Sequence, residues 1–117
     1  MSGGTGRLGE DYTAQWLISR GYRITAKNFH SRYGEIDIIA EDEKYIVFVE
    51  VKTRRSGGLV TPLEAVTPQK QRKILLTAQA YLAQHSSPLQ PRFDVAAVTT
   101  VGGKPLGMKY YENAFGA

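Results

Sequence analysis

Residues 34 to 55 read GEIDIIAEDEKYIVFVEVKTRR. Two β-forming runs, Ile36 to Ala40 and Tyr45 to Thr53, flank the charged stretch Glu41 to Lys44, and a hairpin is the economical reading. Side chains alternate along a strand, so Ile46, Phe48, Glu50 and Lys52 share one face of the second run, while Val47, Val49 and Val51 share the other. The first face therefore changes from apolar to charged along its length. An ionised group on a buried face is unfavourable unless it is paired or binds a metal. In a hairpin Asp37 lies on the neighbouring strand and can point to the same face as Glu50, which brings two carboxylates within reach of one cation. Mg²⁺ prefers such oxygen ligands and keeps several waters, so the acids, a backbone carbonyl and a phosphate oxygen would suit it better than zinc. Lys52 would hold its ammonium near the attacking water or near charge developing on a phosphate, the arrangement of metal-assisted phosphodiester hydrolysis.

The competing explanation is an ion pair of Glu50 and Lys52 at a strand end, because a Glu-x-Lys triplet has little specificity by itself. Asp42 and Lys44 repeat the acid-x-Lys spacing in the expected turn, where both would be solvated. Glu35 is a reserve acid if the register differs.

Outward from the hairpin, Leu8 to Arg20 places Leu8, Tyr12 and Trp16 on one line, with Ala14, Leu17 and Ile18 widening the apolar surface. That spacing predicts a helix ended by Gly21. Tyr22 to Phe29 predicts a partly exposed strand, followed by a loop containing His30 and Ser31. Beyond the hairpin, Ser56, Gly57 and Gly58 predict a loop, and Thr61, Pro62 and Glu64 form a capping-box pattern. Thr67 and Pro68 open a longer helix to about Gln84, with Ile74, Leu75, Ala78, Tyr81 and Leu82 as its buried stripe. Arg92 to Val101 predicts a strand, Gly102 to Gly107 a turn, and Met108 to Glu112 a last short strand. The order α, β, β, β, α, β, β makes the second helix a crossover that renders the third and fourth strands parallel. The expected fold is α/β, a mixed β-sheet flanked by helices.

The chain has 117 residues, 42% of them hydrophobic, enough for one domain with a core and too few for two ordinary ones. One domain over 1–117 is expected, with residues 1–6 frayed. Fifteen Lys and Arg against eleven Asp and Glu give a net charge of +4, compatible with a polyanionic partner. Without cysteine there is no disulfide, thiolate metal site or thiol nucleophile. No run approaches the roughly 20 apolar residues of a membrane span, and no signal peptide is visible, so a cytoplasmic protein without membrane contact is expected. His30 and His85 lack metal-ligand spacing, and Asp94, in an apolar strand, is expected to pair with a Lys or Arg.

An acidic residue on the first helix, then GEIDIIA, VFVEVKTRR, TPQKQRK and RFDV, resembles the YraN-like family of uncharacterised bacterial proteins. That family is regarded as distantly similar to archaeal Holliday junction resolvases within the PD-(D/E)xK nuclease superfamily. The resemblance runs from GRLGED to ENAF and implies a restriction-endonuclease-like fold. By position it makes Asp37 the motif aspartate, Glu50 the second metal-binding acid and Lys52 the catalytic lysine. Glu10 then matches the helix-borne acid of the resolvase branch, a further catalytic and metal-binding candidate. Glu10, Ala14, Leu17 and Gly21 fall on one helical stripe, whereas Asp11 points about a quarter turn away. Ile36 stands where the superfamily's name expects proline.

The implied activity is a Mg²⁺-dependent endonuclease, with Mn²⁺ as a substitute, acting on DNA, including branched or junction DNA, and working as a homodimer. Arg54 and Arg55 after Lys52, and Lys70, Arg72 and Lys73 in the first turns of the second long helix, are the candidate nucleic-acid contacts. Cations at a helix N-terminus oppose its macrodipole, and a bound phosphate would resolve that conflict. Tyr33 could add a stacking contact. The alternative function is a non-catalytic module on a nuclease fold that binds nucleic acid or a protein.

Overall fold

The computed structural model describes residues 4–55 and 66–116, with side chains from residue 7 onward. The elements are α1 (Gly4–Ser19), β1 (Arg23–Ser31), β2 (Gly34–Glu41), β3 (Tyr45–Arg55), α2 (Pro68–Gln84), β4 (Gln90–Val101) and β5 (Lys104–Phe115). Their order is the expected one. The five strands form one sheet in the order β1-β2-β3-β4-β5, antiparallel except for the parallel β3–β4 pair that α2 connects. The expected features at Ser56 to Gly58, Thr61, Pro62 and Glu64 lie outside the described residues. Among the described residues no helix is long and apolar enough to cross a membrane.

The alternation of β3 divides the core. Ile46 and Phe48 pack with Ile36, Ile39 and Val95 under Ile74, Ala78 and Tyr81 of α2. Val47 and Val49 pack with Ile38, Ala40 and Ala96 under Ala14 and Leu17 of α1. Each helix thus covers one sheet face, and β3, paired on both sides, carries apolar residues toward both.

Several boundaries differ from expectation. Helix α1 starts at Gly4, so part of the stretch expected to fray is helical, a turn being cheap to add once a nucleus exists. Leu8, Tyr12 and Ile18 are exposed, whereas Ala14 and Leu17 are buried as expected and are joined by Gly9 and Thr13. Small residues let the helix lie close to the sheet, which is why hydrophobicity alone misplaces part of the stripe. Strand β1 includes His30 and Ser31, and the hairpin turns in the two residues between Ser31 and Gly34. At the other end only Gly102 and Gly103, with φ of 60° and 77°, form the turn, since Lys104 already pairs with Val101. Strand β5 therefore runs well beyond Met108 to Glu112. It is an edge strand, half-exposed and able to include Pro105, so its hydrophobic alternation is weak.

Gly9 fixes the approach of α1 to β3. A Cβ there would collide with Thr53 Oγ1 and stand 3.3 Å from Thr53 Cβ. Thr53 Oγ1 is itself buried with no hydrogen-bond partner among the described residues. Gly9→Ala is expected to cost about 1–2 kcal/mol, overpacking exceeding the gain of about 1 kcal/mol in helix propensity. Chemical denaturation of the double variant Gly9→Ala/Thr53→Ala should show most of that loss restored, because the collision and the unpartnered hydroxyl disappear together.

Candidate active site

The β2–β3 ladder runs from Glu41↔Ile46 to Ile38↔Val49 and then opens. Asp37 and Glu50 are the next residues on the two strands, at the mouth of the fork. The backbone N–H of Val51 donates to Asp37 Oδ2 at 2.8 Å, so a carboxylate completes the ladder where the strand has left it. Beyond this point β3 stays paired with β4 as far as Arg55. The fork holds Asp37 by a backbone contact and places Glu50 at the end of the apolar face of Ile46 and Phe48.

Glu50 is only 6% exposed. Its Oε2 lies 2.7 Å from Lys70 Nζ and 3.6 Å from Lys52 Nζ. Asp37 is pushed up to about 7 from its ordinary 3.8, by burial first and by the charge of Glu50 second, against the opposing Val51 hydrogen bond. Lys52 is lowered by burial and by neighbouring Lys70. Burial also acts against the charge on Lys70, but its contact with Glu50 and the attraction of that acid outweigh it, and the net shift is upward. Two carboxylates and two ammonium groups therefore share one partly dry pocket.

A cleft of about 380 Å³ opens over this group, lined by Gly34, Glu35, Asp37 and Glu50 on the sheet side and by residues of α2 and its cap, including Thr67 and Lys70. Thr67 caps α2, its side chain accepting from the Lys70 N–H at 3.2 Å, and Pro68 occupies the first turn. The cap delivers Lys70 to the cleft. Lys70, expected among the phosphate contacts, pairs here with the buried acid, which supplies the anion that a cation in a helix's first turn calls for. Arg72 and Lys73 are exposed on the next part of the helix, with Lys73 on the cleft wall, and Arg54 and Arg55 are exposed at the end of β3.

Glu10 approaches from the α1 layer. Its Oε1 accepts from Asn28 Nδ2 at 2.9 Å, and its charge raises Asp37 further. Glu10 itself is raised by partial burial and by Glu35. Asn28 has φ of 52°, and the register sets it beside Asp37, between the Lys27↔Ile38 and Phe29↔Ile36 pairs. Sequence reasoning missed Asn28; an asparagine inside a run of β-formers, a residue type tolerant of the left-handed region, was the available signal. Asp11 faces away, paired with Lys27 at 2.7 Å.

Among the described residues no three His, Cys, Asp or Glu side chains gather closely enough to enclose a metal ion. Glu10 acts on Asp37 as a neighbouring negative charge and in turn feels that of Glu50. The protein offers two carboxylate groups as hard oxygen donors, and the negative charges of Glu50, Glu10 and Glu35 around Asp37 favour a cation there. That set fits Mg²⁺ or Mn²⁺, which fill their remaining positions with water and substrate oxygen. The other acids have local roles: Glu35 lies 3.8 Å from His30, and Asp42 accepts from the N–H groups of Lys44 and Tyr45 in the β2–β3 turn. Tyr33 is exposed beside Arg32, whose guanidinium donates to its hydroxyl.

The uncharacterised protein family UPF0102, the YraN family, matches residues 9–98. A UPF0102 protein of Symbiobacterium thermophilum is 47% identical over 118 residues, covering 100% of both chains. One from Prosthecochloris aestuarii is 46% identical over 92% of this chain and 85% of its own, and one from Geobacter sulfurreducens is 45% identical over 94% and 87%. The names of these relatives state no activity.

Proposed function

Because the chain belongs to the uncharacterised protein family UPF0102, we propose its function from the chemistry of the fork: a metal-dependent endonuclease that hydrolyses phosphodiester bonds in DNA, including branched DNA. The observation that carries this reading is the half-buried Asp37 beside the buried Glu50 on one wall of an open cleft, with Lys70 on the other and Lys52 next to Glu50. Asp37 and Glu50 would hold Mg²⁺, or Mn²⁺ in its place. When bound, the ion supplies charge stabilisation at the phosphoryl group and acidifies the attacking water. Lys52, held on β3 beside Glu50, presents its ammonium to the non-bridging phosphate oxygens as negative charge builds on them. Glu10, positioned by Asn28, adds negative charge that strengthens the hold on a cation. The exposed Lys73, Arg72, Arg54 and Arg55 extend positive charge from the cleft along a nucleic-acid backbone. The proposal includes action in the cytoplasm and pairing of two copies for cutting two strands.

The two ammonium groups that neutralise Glu50 also support a second reading, a module that binds nucleic acid or a protein without cleaving. A cleavage panel on linear, flapped and four-way DNA with Mg²⁺ or Mn²⁺ separates the two. Wild type is expected to cut at least one substrate, and Lys52→Ala and Glu50→Ala to lose about 10²–10³-fold or more. Equal activity in all three proteins rejects this site. No cleavage by wild type, with DNA binding that weakens steeply in salt, favours the module.

A further inference from the structure

We propose that Lys70 is an exchangeable cation of the site: it competes with a divalent ion for Glu50 and transfers to a substrate phosphate when that ion binds, so that metal and nucleic acid bind cooperatively. This rests on the metal-and-phosphate reading of the fork and adds the means by which one ligand promotes the other.

Lys70 and Lys52 converge on the same atom, Glu50 Oε2, at 2.7 and 3.6 Å. The shorter contact belongs to the lysine from the opposite wall. Lys52 projects from β3, whose backbone is fixed by β4, and its side chain is 29% exposed. Lys70 projects from the first turn of α2 with 39% of its side chain in solvent, so its ammonium can leave the acid by rotation of its own stem.

Charge decides the sequence of events. Asp37 and Glu50, both ionised, match Lys52 and Lys70. A divalent ion ligated by Glu50 must come within about 2.0–2.6 Å of a carboxylate oxygen, where an ammonium hydrogen-bonded to that oxygen would face it across a short gap and repel it. The ion also leaves the cluster with excess positive charge, and a phosphodiester entering the cleft offsets it. The released Lys70 finds that anion nearby, because Thr67, Lys70 and Lys73 line the same cleft at the start of a 17-residue helix whose first N–H groups favour negative charge. Removing Lys70 from Glu50 then helps the ion, and the phosphate that receives Lys70 helps both. Linkage makes the effect reciprocal.

The test is Mn²⁺ binding followed by the electron paramagnetic resonance of the free ion, without nucleic acid, on wild type, Lys70→Met, Lys70→Arg and Glu50→Gln. Lys70→Met removes the competitor and is expected to bind Mn²⁺ about tenfold more tightly than wild type, a coupling of ordinary size. Lys70→Arg keeps the charge and can grip the carboxylate with two N–H groups, so it is expected to bind more weakly than wild type. Opposite displacements by the two variants do not arise from misfolding. Anisotropy of a labelled flapped oligonucleotide, with Ca²⁺ or EDTA, gives the reciprocal measure. Ca²⁺ should tighten DNA binding by wild type about tenfold and by Lys70→Met much less. Equal Mn²⁺ affinity in wild type and Lys70→Met, or weaker binding by Lys70→Met, overturns the exchange while leaving the metal site intact. Failure of wild type and both Lys70 variants to take up Mn²⁺ at millimolar concentration overturns the metal reading itself, and the exchange with it.

Discussion

Asp94→Ala is expected to lower the stability of the fold by about 3–5 kcal/mol, read as a fall in the urea midpoint. Asp94 is fully buried, and its carboxylate accepts from Arg92 Nε at 3.0 Å and Nη2 at 2.9 Å, from the Tyr110 hydroxyl at 2.6 Å and from the Asn113 N–H at 2.9 Å. Arg92 in turn donates to the Tyr22 hydroxyl at 2.8 Å and lies over the Tyr45 ring. Burial and the charge of Asp94 hold the Tyr110 phenol far above its ordinary range, so it donates at any ordinary pH. Truncating Asp94 leaves a buried guanidinium with only the exposed Glu112 carboxylate, 3.5 Å away, as counter-ion, and two further donors unpaired, and each loss carries a desolvation cost. Against a total stability of about 5–15 kcal/mol that is a large fraction. The double variant Arg92→Met/Asp94→Leu should recover most of it, because replacing both ions removes the charge that truncation strands. If Asp94→Ala shifts the midpoint no more than a surface substitution does, the network is not what ties β4, β5 and Tyr22, just before β1, together.

Asp37→Asn is expected to act in the other direction. With a folded-state value of about 7 against an ordinary 3.8, Asp37 binds its proton more tightly in the folded chain than in the unfolded one. The folded state therefore holds more protons between those two values, and stability falls as pH rises through that window. Wild type should be more stable near pH 5 than near pH 8, by on the order of 2 kcal/mol, whereas Asp37→Asn should lose this dependence and be the more stable protein near pH 8. The amide oxygen can still accept from Val51, so the variant keeps the ladder's end. On the proposed metal reading, the same proton leaves before the acid pair holds a cation. Calorimetry of Mn²⁺ uptake in buffers of different ionisation enthalpy should show proton release near pH 6 that fades near pH 8. A pH profile of stability that is identical in wild type and variant would mean that Asp37 is an ordinary carboxylate.

The hairpin and the parallel crossover were legible because β3 is paired on both sides. Its two faces are both packed, and strict alternation of Ile46, Phe48 and Glu50 against Val47, Val49 and Val51 leaves one workable register. The edge strands were less legible. Half of β5 faces solvent, so little in its composition separates strand from turn. Asp37, Glu50 and Lys52 could be picked out because charge interrupts a buried pattern. Lys70, Asn28 and Gly9 could not be placed in the same way. Their roles depend on what lies across from them: a carboxylate for Lys70, Glu10 for Asn28, and the Thr53 side chain for Gly9. Neither the width of the fork nor the depth to which a helix settles is written in local periodicity.

The fork has one further consequence. Asp37 feels Glu10 from the layer above the sheet and shares Glu50 with Lys70 from the layer below, so its proton affinity is set jointly by two helices far apart in the chain. A substitution on either helix retunes the same carboxylate, and a second substitution on the other can restore it. Loss of an acid on α1 is compensated by loss of a lysine on α2. Paired substitution at these positions is expected to preserve the site, and a variant library confined to one helix would miss the compensated combinations.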